Sequence, residues 1–367
     1  MRLDPAGVPL LNLGRRAIRA RCLLAAGSGL ALLLAAGCGS SGSPGGAVSG
    51  TVVIAAVPGV ADAAIYLAQK DGLFAAEGLD HVTIDSSFTS QSQVMNALKS
   101  GNADIAASDY GNIFYQQAQS GDLRILADGY DATTGSLEML TYPDSLIQNP
   151  SDLTKPNDNP GLKIGVPDDD DLPSGAIASG SEIPQSLDVA AATTVLTNFV
   201  GHAADSIQWV AMSQQQEVRE LQHHQLDAIL VSEPYVYQAE SMLSAAEVLD
   251  ACSGETAGLP LLGYVAQSSW VKQNSGAVAD FQAALAKAQA DASLAGQVQK
   301  VLPSTVPGMT VQDADLITVG TYPTTTSIPN LQSVVVLMSN AGMVDAAPGT
   351  VGARRLNINS MLVKSPS

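Results

Sequence analysis

Thr51-Val52-Val53-Ile54-Ala55-Ala56-Val57-Pro58-Gly59 is a continuous apolar run closed by a Pro-Gly turn. A half-exposed strand alternates apolar and polar residues. An unbroken run of this length describes a strand covered on both faces, as in a parallel sheet. The stretch that follows has a different period: Asp62 to Phe74 reads as a helix, with Ile65, Ala68 and Leu73 on one face. His81 to Phe88 returns to strand alternation. Ser90 opens a helix carrying Val94, Ala97 and Leu98, Ala103 to Ser108 is a strand, Gly111 to Gln119 a helix, and Arg124 to Tyr130 a strand. Strands alternating with helices predict βαβ units and a mostly parallel sheet, so the fold class is α/β.

The pattern stops and then restarts. Asn149 to Gly161 holds three prolines among Asn and Asp, the composition of a crossing or surface loop. Leu162 to Val166 then reads as a strand, Ser186 to Phe199 as a helix, Ile207 to Met212 as a strand, Gln215 to His223 as a helix and Asp227 to Val231 as a strand. Two α/β lobes in succession account for this order. The halves echo one another faintly: Ala103-Asp-Ile-Ala-Ala-Ser-Asp-Tyr110 and Leu226-Asp-Ala-Ile-Leu-Val-Ser-Glu-Pro-Tyr235 both end in a serine, an acid and a tyrosine. Beyond Leu259 come an apolar run (Leu261 to Gln267), an alanine-rich helix (Ala279 to Leu294) and a helical pattern from Leu331 to Asn340 stopped at Gly342. The expected division is lobe 1 from 51 to 145, lobe 2 from 146 to 258, a return to lobe 1 from 259 to 348, and a tail from 349 to 367.

Ahead of Thr51, Arg15, Arg16, Arg19 and Arg21 precede an apolar stretch from Cys22 to Leu34, the order of a secretory signal. That stretch is shorter than the roughly 20 apolar residues a membrane span needs. Its end, Leu34-Ala35-Ala36-Gly37-Cys38, resembles the lipobox of bacterial lipoproteins. The resemblance implies that residues 1–37 are removed and that Cys38 carries a diacylglycerol. Residues 38–50 then form a Gly/Ser-rich tether, and the chain is anchored at the outer face of the bacterial cytoplasmic membrane. The alternative is an ordinary secretory signal with a cysteine nearby.

The 367-residue chain carries a formal charge of −18; five arginines and one aspartate leave with residues 1–37, taking it to −22. The twelve basic residues that remain cannot build a phosphate-tracking stripe, which excludes nucleic acid as a partner. Of three cysteines, Cys22 lies in the signal and Cys38 in the lipobox, so Cys252 stands alone and no disulfide forms within the mature monomer.

Ile65-Tyr-Leu-Ala-Gln-Lys-Asp-Gly-Leu-Phe-Ala-Ala-Glu-Gly-Leu79 resembles the first helix of extracytoplasmic solute-binding proteins of the nitrate, sulfonate and thiamine-precursor type. Met95 to Ala106, Gly161 to Val166, and Gln225 to Ile229 followed by Glu233-Pro234 match later segments of that family in order. Together they span residues 51 to about 345. The resemblance implies a two-lobed periplasmic-binding-protein fold of the second type, with a ligand cleft between lobes that close by hinge motion. It implies an ABC permease and its ATPase as partners, a small solute as ligand, a monomeric state, and no cofactor or metal.

In such a fold the loops at strand C-termini face the cleft. They give the candidate ligand-binding residues Pro58, Gly59, Ser90, Ser108, Asp109, Tyr110, Tyr130, Ser174, Ser213, Ser232, Glu233 and Tyr235. Bland roles stand beside these: Gly59 serves a turn, Ser90 an N-cap, and the run Asp168 to Asp171 a solvated loop. None of these loops carries Lys or Arg, so a neutral or cationic heterocycle stacked on Tyr110 or Tyr235 fits at least as well as a sulfonate or nitrate.

Two alternatives remain open: a pyrimidine-forming enzyme of the same fold, and a ligand sensor for a membrane receptor. Against catalysis, His81, His202, His223 and His224 are scattered, Cys252 has no basic activator beside it in sequence, and no Gly-x-Ser-x-Gly or His-Glu-x-x-His motif occurs.

Overall fold

The computed structural model describes residues 50–154, 162–167, 177–179, 186–201, 207–344 and 356–364. The apolar run after Thr51 forms β1 (Val52–Ala55), and the helix after it is α1 (Ala63–Lys70). The helix expected to reach Phe74 breaks at Gly72, whose φ of +69° suits glycine, and resumes as α2 (Leu73–Ala76). Then follow β2 (Val82–Asp85), α3 (Gln91–Ser100), β3 (Ile105–Asp109), α4 (Tyr110–Ser120) and β4 (Leu123–Asp131). Next come β5 (Leu137–Thr141), β6 (Lys163–Pro167), β7 (Ile177–Ser179), α5 (Leu187–Val200), β8 (Gln208–Met212), α6 (Gln214–Gln222), β9 (Ala228–Ser232), α7 (Tyr235–Leu243) and β10 (Ala246–Asp250). The chain ends with β11 (Pro260–Gln267), α8 (Ser268–Gln273), α9 (Ser275–Ala292), α10 (Ala295–Thr305), α11 (Val311–Ala314), α12 (Ile328–Asn340) and α13 (Ile358–Met361).

Two sheets result, ordered β2-β1-β3-β11-β4 and β10-β5-β9-β6-β8-β7. Both are mixed, where the apolar runs alone predict mostly parallel strands. β1 pairs parallel with β2 and β3, but β11 inserts antiparallel between β3 and β4. In the second sheet β6 pairs parallel with β8 and β9, β5 is antiparallel to β9, and β10 is antiparallel to β5. The two sheets therefore share one plan, with β6, β8, β9, β5 and β10 standing where β1, β2, β3, β11 and β4 stand in the first. The echoed segments occupy its equivalent strands β3 and β9. The second sheet is built from consecutive strands, and the first takes β11 from beyond it: the chain crosses between β4 and β5 and recrosses between β10 and β11. Residues 137–141, which the sequence assigns to the first lobe, thus run in the second sheet.

Three apolar layers follow from the burial pattern. One face of the first sheet packs Ile54, Tyr264 and Ala266 against Ile65, Leu67, Phe281 and Leu285 of α1 and α9. Its other face, with Met95, Tyr110 and Phe114, is continuous with one face of the second sheet through Leu187, Leu196, Trp209 and Leu331. The remaining face of the second sheet packs Val210, Ile229 and Val231 against Val218 and Leu221 of α6 and Val236 of α7. The shared middle layer means that the lobes meet over dry apolar surface along one part of their boundary.

Candidate ligand cleft

Elsewhere along that boundary the strand ends separate. A cavity of about 220 Å³ is lined by Val57 to Asp62 after β1, Thr89 to Gln91 before α3, and Pro167 at the end of β6. Ser213 and Gln214 after β8 and Ser232 to Tyr235 after β9 complete it. Seven of the candidate residues meet there: Pro58, Gly59, Ser90, Ser213, Ser232, Glu233 and Tyr235. In the plan common to both sheets these are five of the six equivalent strand ends. The sixth, after β3, is filled. A Cβ built on Gly111 at the start of α4 would stand 3.1 Å from the Leu187 Cβ at the start of α5 and 2.8 Å from Asp109 Oδ1, so only glycine lets the lobes approach there.

That filled corner corrects three candidates. Ser108 is fully buried and outside the cavity. Asp109 caps α4 instead of facing the cleft, its Oδ1 accepting from the Asn112 N–H at 2.8 Å. Burial, with the Asp109 charge added to it, pushes the Asp188 carboxyl up to about 7. Tyr110, expected to stack on a ligand, is fully buried; its hydroxyl donates to Asp128 Oδ1 at 2.9 Å and its ring lies against Gly263. Tyr130 is likewise a core residue, its ring edge-on to Tyr322 at 5.2 Å and its hydroxyl accepting from the Gly320 N–H at 2.8 Å. Ser174, the run Asp168 to Asp171, His202 and Cys38 lie outside the described residues.

The cleft residues are held by local chemistry. Ser90 plays both of its readings: it lines the cavity and caps α3, its Oγ accepting from the Gln93 N–H at 3.3 Å. Gln93 Oε1 returns the favour to the Thr89 N–H at 3.1 Å. Ser213 and Gln216 repeat the device on α6, where Gln216 Oε1 accepts from the Ser213 N–H at 3.1 Å. Gln214 ties two strand ends together, its Oε1 accepting from the Ser232 N–H at 2.9 Å. Glu233 spans further. Its Oε2 accepts from the Tyr237 N–H at 3.1 Å and its Oε1 from the Thr318 N–H at 2.8 Å. Thr318 precedes the segment in which Thr321 pairs with Asp131 at the end of β4. Glu233 thus links the second sheet to the segment bordering the first, and burial pushes its carboxyl up to about 7.

Residues 61–168 match the family model described as NMT1/THI5 like. No curated protein matches the sequence. Among solved structures, the ligand-binding component of an ABC-type import system from Staphylococcus aureus, with zinc bound, superposes with a TM-score of 0.64 at 13% identity, covering 86% of this chain and 96% of that one. The periplasmic aliphatic sulphonate binding protein SsuA from Escherichia coli gives a TM-score of 0.61 at 15% identity, over 87% of this chain and 97% of that one. The chain has the periplasmic-binding-protein fold. The same fold extends to catalysis: the desulfurization enzyme DszB matches with a TM-score of 0.54 at 14% identity, over 80% of this chain and 92% of that one.

Periplasmic-binding-protein folds place ligands where strand C-termini from both lobes converge, and the cavity here lies at that place. Its described lining holds two carboxyls, Asp62 and Glu233, and no Lys or Arg. Asp62 lines the cleft, although the sequence alone marks it as the opening of a helix. An acid four residues past a strand-ending proline, ahead of an alanine-rich helix, was the available signal. Cys252 is fully buried, and burial with Asp250 beside it pushes its thiol up, so it presents no thiolate to the cleft. Among the described residues no group of three His, Cys, Asp or Glu is placed to hold a metal ion, and no helix is long and apolar enough to cross a membrane.

Proposed function

We propose that the protein is the solute-binding component of an ABC-type importer, taking a small polar organic solute into the cleft and presenting it to a membrane permease. The observation that carries this reading is the cavity itself, lined by strand ends of both sheets. At about 220 Å³ it is smaller than the about 300–1,000 Å³ of drug-sized sites, which suits a small solute. The two chain crossings between sheets supply a hinge, and a ligand touching both lobes stabilises the closed form by its differential affinity. A thermal-shift screen of sulfonates, nitrate, pyrimidines and amines tests the proposal: a bound solute at 100 times its Kd adds about 2.7 kcal/mol of stability. A chain silent to every class contradicts it.

Tyr235 begins α7 and is half-buried at the cleft wall. Tyr235→Ala should weaken binding of the solute found in the screen by about tenfold, the loss of one aromatic contact, with the melting temperature nearly unchanged. An unaltered affinity would remove Tyr235 from the site. Lipid anchoring at Cys38 belongs to the same proposal. Cys38→Ser should release the chain from membranes and abolish incorporation of labelled fatty acid in a bacterial host, whereas persistent labelling would refute the lipobox.

A further inference from the structure

The cleft holds an acidic side chain with one oxygen that has no hydrogen-bond partner. Asp62 is 2% exposed, it lines the cavity, and its Oδ1 has no hydrogen-bond partner. It stands at the N-cap of α1 without capping it. A buried carboxyl oxygen without a donor is costly, and native proteins pair such atoms. The neighbours supply no cation. Tyr66 of α1, Tyr264 of β11 and Tyr322 are the titratable groups coupled to it, and all are phenols; with no cation beside it, burial holds the Asp62 carboxyl well above the usual carboxylate range, and the Tyr264 hydroxyl is itself buried without a partner. The other cleft acid, Glu233, already accepts two backbone N–H groups.

The features that would favour an anion are partly used up. Helix N-termini attract anions through free N–H groups. Here Ser90 occupies the Gln93 N–H of α3, and Glu233 occupies the Tyr237 N–H of α7. The side chains of Gln93 and Gln216 occupy the N–H groups of Thr89 and Ser213 that lead into α3 and α6. No Lys or Arg is present among the described lining residues to replace them.

We propose that the cleft selects a small organic cation bearing N–H donors, a protonated amine or amidine, whose charged end docks on Asp62. This rests on the solute-binding reading above and names its ligand class. The cation supplies the donor that Oδ1 lacks.

The test is calorimetric titration of the full chain with three sets of probes. They are ethanolamine, putrescine, histamine and acetamidine; the neutral analogues ethylene glycol and 1,4-butanediol; and the anions ethanesulfonate and nitrate. The expected result is binding of at least one amine or amidine, at least about thirtyfold tighter than any neutral analogue. Asp62→Asn should weaken that binding by about thirtyfold or more, the loss that follows removal of one partner of a buried charge pair. The amine-against-alcohol comparison uses the unaltered chain, so it stands whether or not Asp62→Asn folds. Two results overturn the cation assignment while leaving the solute-binding reading intact: ethanesulfonate or nitrate binding with the amines silent, or amine binding that a folded Asp62→Asn leaves unchanged. Silence toward all of these probes, and toward the wider screen, overturns both.

Discussion

Gly59→Trp should abolish solute binding while leaving the protein as stable as the wild type. A Cβ built on Gly59 meets only the Val57 carbonyl oxygen, at 3.8 Å, and open space beyond it. The backbone there is not left-handed, so a larger side chain enters without strain. Gly59 lines the cleft, so an indole at this position should compete for the volume a solute needs. We expect at least about a hundredfold loss of affinity, some 2.7 kcal/mol, with the melting temperature within about 2 °C of wild type. Gly111 makes the contrast. It also sits at a strand end on the lobe boundary, but its added Cβ would press on Leu187 and Asp109. Gly111→Ala should therefore cost about 1–3 kcal/mol through overpacking. Melting curves and titrations of the two variants check both halves. Full-strength binding by Gly59→Trp would place the site elsewhere.

Stability should fall as pH rises from 6 to 8, against the common expectation that a protein tolerates neutral pH better than acid. Asp128 is 1% exposed behind Tyr110, and burial together with the charge of Asp131 pushes its carboxyl up to about 8. Burial and four neighbouring acids push Glu138 to about 8, and burial raises Asp188 and Glu233 to about 7. In the unfolded chain such groups lose their protons near pH 4. Between pH 4 and each folded value the native state therefore holds more protons than the unfolded state, so stability declines with rising pH across that window. For Asp128 alone the decline is on the order of 2 kcal/mol between pH 6 and 8, at about 1.4 kcal/mol per pH unit for a well-buried group. The other three act in the same direction. At 2–4 °C per kcal/mol the melting temperature should be higher at pH 6 than at pH 8 by about 5 °C or more. Asp128→Asn, which keeps an acceptor for the Tyr110 hydroxyl, should flatten the profile. A melting temperature higher at pH 8 would show that these carboxyls are not buried as described.

Most elements were legible because each carries a local signal. The apolar run ending at Pro58 became β1, and Ser90 and Ser186 cap α3 and α5 at the expected places. Strand direction was not legible. Leu261 to Gln267 reads as a strand, but nothing in an apolar run states that it inserts antiparallel between β3 and β4; that follows from the chain's return across the lobes. β5 carries no plain strand signal because Glu138 interrupts its apolar residues, although that side chain is buried and its carboxyl raised. In the cleft, the echo of Ser-acid-Tyr after β3 and β9 led to opposite outcomes. After β9 the trio lines the cavity, whereas after β3 the packing of α5 on Gly111 seals it. Residue type could not separate them, because the difference lies in what the other lobe places opposite. The same holds for Tyr130 and Tyr235, one buried against Tyr322 and the other at the cleft wall.

In the proposed function two lobes close on a solute held between their strand ends. Small-angle scattering of the full chain, with and without a saturating concentration of the tightest probe from the screen, tests it most directly. The radius of gyration should fall with the probe, and should not change in Gly59→Trp under the same conditions. An identical radius for the wild-type chain with and without a probe shown to bind would contradict closure.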